Sequence, residues 1–208
     1  GQKGYGSSFS HQKEEASPGY YKVHLEDTNI DVELTTTTRA AMHLYTYPNS
    51  ENQVLILDLL HRDKVLDASI EIISDTEIQG FRFSEAWATD QRLFFSIKTS
   101  HPFKDMLQSP PKKGMPGARK CALEFVNPNN EPVYISVGIS AVDQSGAKQN
   151  REVEIGSKTF ETLKKQAAQS WEQQLEKIIV EDANKDNLST FYTALYHTMI
   201  APNIYQDV

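Results

Sequence analysis

Three pairs of carboxylates stand close together in this sequence: Asp27 with Asp31, Asp58 with Asp63, and Glu152 with Glu154. Two carboxyl groups held near each other can divide the work of a general acid and a general base. Each pair falls at a turn or on the solvent edge of a strand, where carboxylates stay solvated, so they read as surface charges. The histidines His11, His24, His43, His61, His101 and His197 are dispersed. No two share a helical i, i+3 or i+4 spacing or a strand's i, i+2 spacing, which argues against a metal site built from histidine alone. Cys121 is the only cysteine and cannot form an internal disulfide. Its place between Lys120 and Ala122, in a strand-like run, suits a small buried side chain rather than a nucleophile. HExxH, GxSxG and CxxC motifs and a phosphate-cradling glycine loop are absent. No catalytic residue and no metal ligand is assigned within the chain.

Two segments are richer. Ser8-Phe9-Ser10-His11 precedes a charged turn ending in Pro18-Gly19, and Gly80 to Gln91 carries Arg82, Trp87, Asp90 and Gln91 around a strand end. A Trp face beside planar polar groups is a way of holding sugars: the ring covers apolar C–H patches while carboxylate and amide groups take hydroxyls. His11, Trp87, Asp90 and Gln91 are therefore the candidate substrate-binding residues. A second reading stays open, in which Trp87 packs between sheets, Asp90 caps a turn and His11 bonds to a backbone carbonyl.

The elements that must position these residues change character along the chain. Tyr21-Val23-Leu25 and Ile30-Val32-Leu34 alternate with polar residues, the period of half-buried strands. Thr35 to Thr38 suits a strand because branching at Cβ restricts χ1. Further strands are predicted over 38–47, 53–59, 68–74, 77–86, 92–99, 120–126 and 133–142. Turn signals recur about every ten residues, the pattern of an all-β sandwich or barrel. The segment 109–117, with three prolines and two glycines, reads as a surface loop. From Ser157, a plausible N-cap, Phe160, Leu163, Ala167, Trp171, Leu175 and Ile178 recur at helical spacing. A second helix is predicted over 186–200, with Leu188, Phe191, Tyr192, Leu195, Tyr196, Met199 and Ile200 covering more than one face. Such a helix expects a partner, here a larger helical domain.

Composition narrows the classes. The 208 residues carry 21 Lys plus Arg against 28 Asp plus Glu, a net charge of -7. That disfavours nucleic-acid binding and an anionic membrane surface. No run approaches the roughly 18 apolar residues of a spanning helix, and the first residues lack the apolar core of a signal peptide.

Several phrases then resemble a known family. Phe191-Tyr192-Thr193-Ala194-Leu195-Tyr196-His197-Thr198, with Ala201-Pro202-Asn203 and Asp207-Val208, is similar to the opening of the catalytic domain of family-92 glycoside hydrolases, bacterial exo-acting α-mannosidases. Phe9-Ser10-His11 with Pro18-Gly19-Tyr20-Tyr21, Glu33-Leu34-Thr35 with Thr38-Arg39, Trp87-Ala88 with Asp90-Gln91, and Gly138-Ile139-Ser140 with Gly146-Ala147 and Asn150 follow in the family's order. Ala40-Ala41 stands where that pattern leads one to expect glycine. The resemblance implies a mainly β fold: a two-layer antiparallel β-sandwich over 1–150, then two linker helices over 151–208 leading into an (α/α)6 barrel. It implies a calcium-dependent, inverting exo-α-mannosidase acting on mannose-containing glycans in the periplasm or outside the cell. The acid, the base and the calcium ligands would lie in the barrel, which would pack on the second helix and leave the 208-residue chain inactive alone. The rival reading is a stand-alone carbohydrate-binding or scaffolding sandwich module.

Overall fold

Alternating side chains set the strands of this computed structural model, which describes residues 4–48, 53–108 and 119–208. The predicted loop at 109–117 lies outside the described residues. A 3-10 turn, His11–Lys13, leads into β1 (Glu14–Ser17), β2 (Tyr20–Leu25), β3 (Ile30–Thr36), β4 (Ala40–Thr46) and β5 (Val54–Asp58). Then come β6 (Lys64–Ile72), β7 (Glu77–Glu85), β8 (Gln91–Thr99), β9 (Phe103–Gln108), β10 (Lys120–Phe125) and β11 (Val133–Ser140). Three helices close the chain: α1 (Gln144–Glu154), α2 (Phe160–Leu175) and α3 (Lys185–Thr198).

The strands form an antiparallel eight-stranded sheet in the order β1-β2-β3-β4-β11-β8-β7-β6 and a three-stranded sheet, β5-β10-β9. The period of two decides which side chains meet. Phe95 and Ile97 of β8, Ile135 of β11 and Ile78 of β7 face Leu123 and Phe125 of the small sheet, and this inter-sheet cluster is the main core. The residues between them point the other way, where helices cover the large sheet. Tyr20, Ala40 and Met42 there meet Ile155, Phe160 and Leu163. Ala40 is thus buried under helix. Gly138 in β11 lies where any Cβ would overlap the carbonyl of Ala147, so its lack of a side chain lets α1 sit down on the sheet.

The two-layer sandwich and the closing helices agree with the sequence reading, with differences of detail. Among the described residues three α-helices are present rather than two, because α1 escapes the apolar period: its buried residues are Gly146, Ala147, Asn150 and Arg151. The strands β1 and β9 are further additions. Thr159, not Ser157, caps α2, its hydroxyl accepting the Thr162 N–H at 3.2 Å. In α3 no residue is fully buried, and Ile200 just beyond it is exposed. Trp171 of α2 meets Tyr196 of α3 with ring centres 4.7 Å apart. Among the described residues no helix is long and apolar enough to cross a membrane.

Candidate functional site

Antiparallel order brings the ends of β3, β7 and β11 and the starts of β4 and β8 to one edge of the large sheet. The β3–β4 turn, the start of β8, the β11–α1 connection and the segment 203–207 converge there around a cavity of about 200 Å³. Its lining includes Arg39, Gln91, Arg92, Asn203 and Asp207.

Trp87 sits in the β7–β8 turn, which closes with the Ala86 N–H donating to the Ala88 carbonyl at 3.0 Å. Its relative exposure is 106%, so it is not packed between the sheets. Asp90 takes two bonds from the Arg92 guanidinium, Nε at 3.1 Å and Nη2 at 3.0 Å. The same guanidinium lies 5.3 Å from the centre of the Phe83 ring, a cation–π contact that fixes its plane. Gln91, the first residue of β8, lines the cavity. These three candidates lie together in and just after the β7–β8 turn, and of them Gln91 lines the cavity. His11 does not join them. It precedes β1, whose start lies at the opposite end of the sheet, and a single sugar ring cannot bridge the distance. Its Nδ1 lies 2.5 Å from Glu14 Oε2, while the Tyr21 hydroxyl donates to Glu14 Oε1 at 2.6 Å. The Tyr21 and His11 bonds hold the Glu14 carboxyl below its ordinary value.

The floor of the site is a polar network. Asn150 of α1, fully buried, donates from Nδ2 to the Ile139 carbonyl and to Asp207 Oδ1, both at 2.8 Å. Ser140 donates to Asp207 Oδ2 at 2.8 Å. Arg39 donates from Nε to the Gln206 carbonyl at 2.5 Å and from Nη1 to Glu154 Oε1 at 2.7 Å. Asp58 and Glu154, read as solvated, are instead largely buried among partners. Glu154 accepts from Thr37 and Arg39, and the Asp58 side chain, 8% exposed, pairs with Lys120 at 2.9 Å and accepts from the Tyr5 hydroxyl. Both were misread for one reason: their cations and donors come from far along the chain, and local spacing does not reveal them.

The network residues were not singled out as candidates, although Arg39, Ser140, Asn150 and Asp207 all lie in the family-like phrases. Their meeting at one edge is what could have identified them.

The chemistry available here is recognition. The exposed indole offers a stacking face, and Asp90 and Gln91 offer hydrogen-bonding groups. Asp90 and Asp207 are each already bound to protein donors. Cys121 is buried and its thiol is pushed up to about 11 by that burial, which removes it as a nucleophile. Among the described residues no three His, Cys, Asp or Glu side chains converge to hold a metal ion. The described residues thus present no such cluster for a calcium ion, which wants six to eight oxygen ligands.

The sequence profile of the Glycosyl hydrolase family 92 N-terminal domain matches residues 1–140, and that of the family 92 catalytic domain matches residues 146–208. No curated protein sequence matches the chain. Among solved structures, a family GH92 alpha-mannosidase from Bacteroides thetaiotaomicron is 28% identical with a TM-score of 0.83, covering 97% of this chain and 29% of that one. Its complex with mannoimidazole gives a TM-score of 0.84 at 28% identity, over 98% of this chain and 29% of that one. A family GH92 inverting mannosidase from the same species shares the fold, with a TM-score of 0.81 at 24% identity over 95% of this chain and 27% of that one. The chain thus spans under a third of the length of these relatives. With profile matches to both domains meeting at the start of α1, and the same sandwich and helices in the relatives, the chain belongs to glycoside hydrolase family 92.

Proposed function

We propose that the chain is the N-terminal, non-catalytic part of a calcium-dependent, inverting exo-α-mannosidase that acts on mannose-containing glycans in the periplasm or outside the cell. In this reading a catalytic domain packs on the apolar side of α3 and supplies the acid, the base and the calcium ligands. The sandwich presents Trp87, with Asp90 and Gln91 beside it, to the sugar. The observation that carries the reading is the full exposure of Trp87. Leaving a large apolar side chain in water forgoes the roughly 1.5–3 kcal/mol that burial contributes, and a flat sugar face laid on the indole recovers part of it. The mannoimidazole complex of the related mannosidase supports a mannose-like ligand. The half-covered apolar residues of α3 support a helical partner domain.

The test is Trp87→Ala in the full-length protein, assayed on an aryl α-mannoside with calcium. Loss of a stacking face should lower kcat/KM about tenfold, equivalent to ~1.4 kcal/mol of transition-state binding. The melting temperature should hold, since the ring buries nothing. A lower melting temperature with unchanged kinetics would remove Trp87 and Asp90 from the site. A full-length protein that binds mannosides without hydrolysing them would favour the binding-module reading.

A further inference from the structure

Asn150 has no access to solvent, and a buried amide is costly unless every polar group is paired. Two of its three bonds leave its own neighbourhood. Besides the Ile139 carbonyl, it donates to Asp207 Oδ1 at 2.8 Å and accepts the Val208 N–H on Oδ1 at 3.0 Å. The receptor around it is matched to the same segment. Ser140 grips the other oxygen of Asp207, Arg39 grips the Gln206 carbonyl, and a Cβ at Gly146 would overlap Asp207 Oδ2. Three separate elements, β11, α1 and the β3–β4 turn, thus hold one stretch that has no helix or strand of its own. The apolar core that stabilises the sandwich lies between the sheets, away from this network. These contacts are built for placing the segment rather than for closing the core.

We propose that Asn150 is a positioning residue: it latches residues 203–208 to the edge of the sandwich that carries Trp87. The latch fixes where the chain runs after α3 relative to the β7–β8 turn. Its catalytic consequence rests on the mannosidase reading above. There the sugar is held between groups of two domains, and a misplacement of about 1 Å can cost on the order of a hundredfold in rate.

The experiment uses the full-length protein and follows hydrogen exchange at the Val208 amide. Asn150→Ala should raise that exchange at least tenfold while β11 amides keep their protection. Asp207→Ala, altered on the half-exposed side of the latch, should do the same and decides the matter if Asn150→Ala fails to fold. Asn150→Asp sets a second carboxylate against Asp207. At neutral pH its Val208 amide should likewise exchange at least tenfold faster than in the unaltered protein, because like charges repel across the latch. On an aryl α-mannoside, Asn150→Ala should lower kcat/KM at least tenfold. Wild-type exchange at Val208 in folded Asn150→Ala or Asp207→Ala overturns the latch. Faster exchange with unchanged kinetics overturns the positioning role. An unaltered protein with no mannosidase activity sinks the functional reading, and the exchange data still decide the latch.

Discussion

Replacing Glu154 with alanine tests how the helices are fastened to the sheet edge. The carboxylate ends α1, where the helix dipole disfavours negative charge by about 0.3–1 kcal/mol. It is held there by three donors: Thr37 Oγ1 at 2.5 Å, the Arg39 N–H at 2.8 Å and Arg39 Nη1 at 2.7 Å. The two side chains of the ion pair are 11% and 19% exposed for Glu154 and Arg39. Burial alone would raise the carboxyl, but these donors outweigh it and hold Glu154 below its ordinary value of 4.5. Removing the carboxylate strands a backbone donor, worth about 1–3 kcal/mol when buried, and a guanidinium. Breaking a fully buried pair costs about 3–5 kcal/mol. Partial exposure and relief of the dipole lower the total, so a loss of roughly 2–3 kcal/mol is expected. For a chain of this size that is a fall of about 5–10 °C in melting temperature. The pH dependence follows from the direction of the shift. A depressed carboxyl contributes fully above its unfolded value and loses that contribution as pH falls through its folded value. The gap in melting temperature between wild type and Glu154→Ala should therefore narrow as calorimetric scans move from neutral pH to below 4.5. A variant that melts within about 2 °C of wild type at neutral pH, or a gap that acid leaves unchanged, would refute the reasoning.

Leu163 is 1% exposed under the large sheet, so Leu163→Ala should cost about 2–5 kcal/mol in urea denaturation with an unchanged m-value. Cys121 should resist thiol reagents in the native protein and react only on denaturation; rapid stoichiometric labelling of the folded chain would contradict its burial. The isolated 208-residue chain, given an aryl α-mannoside and calcium, should show no turnover above the buffer rate; turnover abolished by changing one of its own carboxylates would place catalysis here instead.

The strands were legible because inward residues such as Phe95 and Ile97 alternate with outward ones such as Lys98, a local pattern. The helix α2 was legible from Phe160, Leu163 and Ala167 at helical spacing. What escaped was long-range or polar. The helix α1 buries an Asn and an Arg instead of aliphatics: Arg151 donates to Ser96 at 3.2 Å and to Glu77 at 2.7 Å, partners far away in sequence. The short β1, Glu-Glu-Ala-Ser, is an edge strand with too little buried surface to leave an alternating trace. Trp87, Asp90 and Gln91 stood out as candidates because they sit within five residues of one another. Ser140, Asn150 and Asp207 meet only through the fold, and no local period foretells that.

The position of β11 sets the order in which this protein can assemble during synthesis. Two runs of neighbouring strands, β1 to β4 and β6 to β8, can each zip up locally as they emerge. They become one sheet only when Val133–Ser140 slots between β4 and β8, pairing Gly138 with Ala40 on one side and Ser136 with Lys98 on the other. The first of those pairings closes a loop of nearly a hundred residues, the kind of distant contact that slows folding. A nascent chain that has not yet delivered β11 carries two half-sheets whose central strands expose raw hydrogen-bonding edges. That is the geometry most prone to recruit a neighbouring polypeptide. A pause in synthesis before Val133–Ser140 has emerged from the ribosome would thus favour aggregation, and a pause after it has emerged would not.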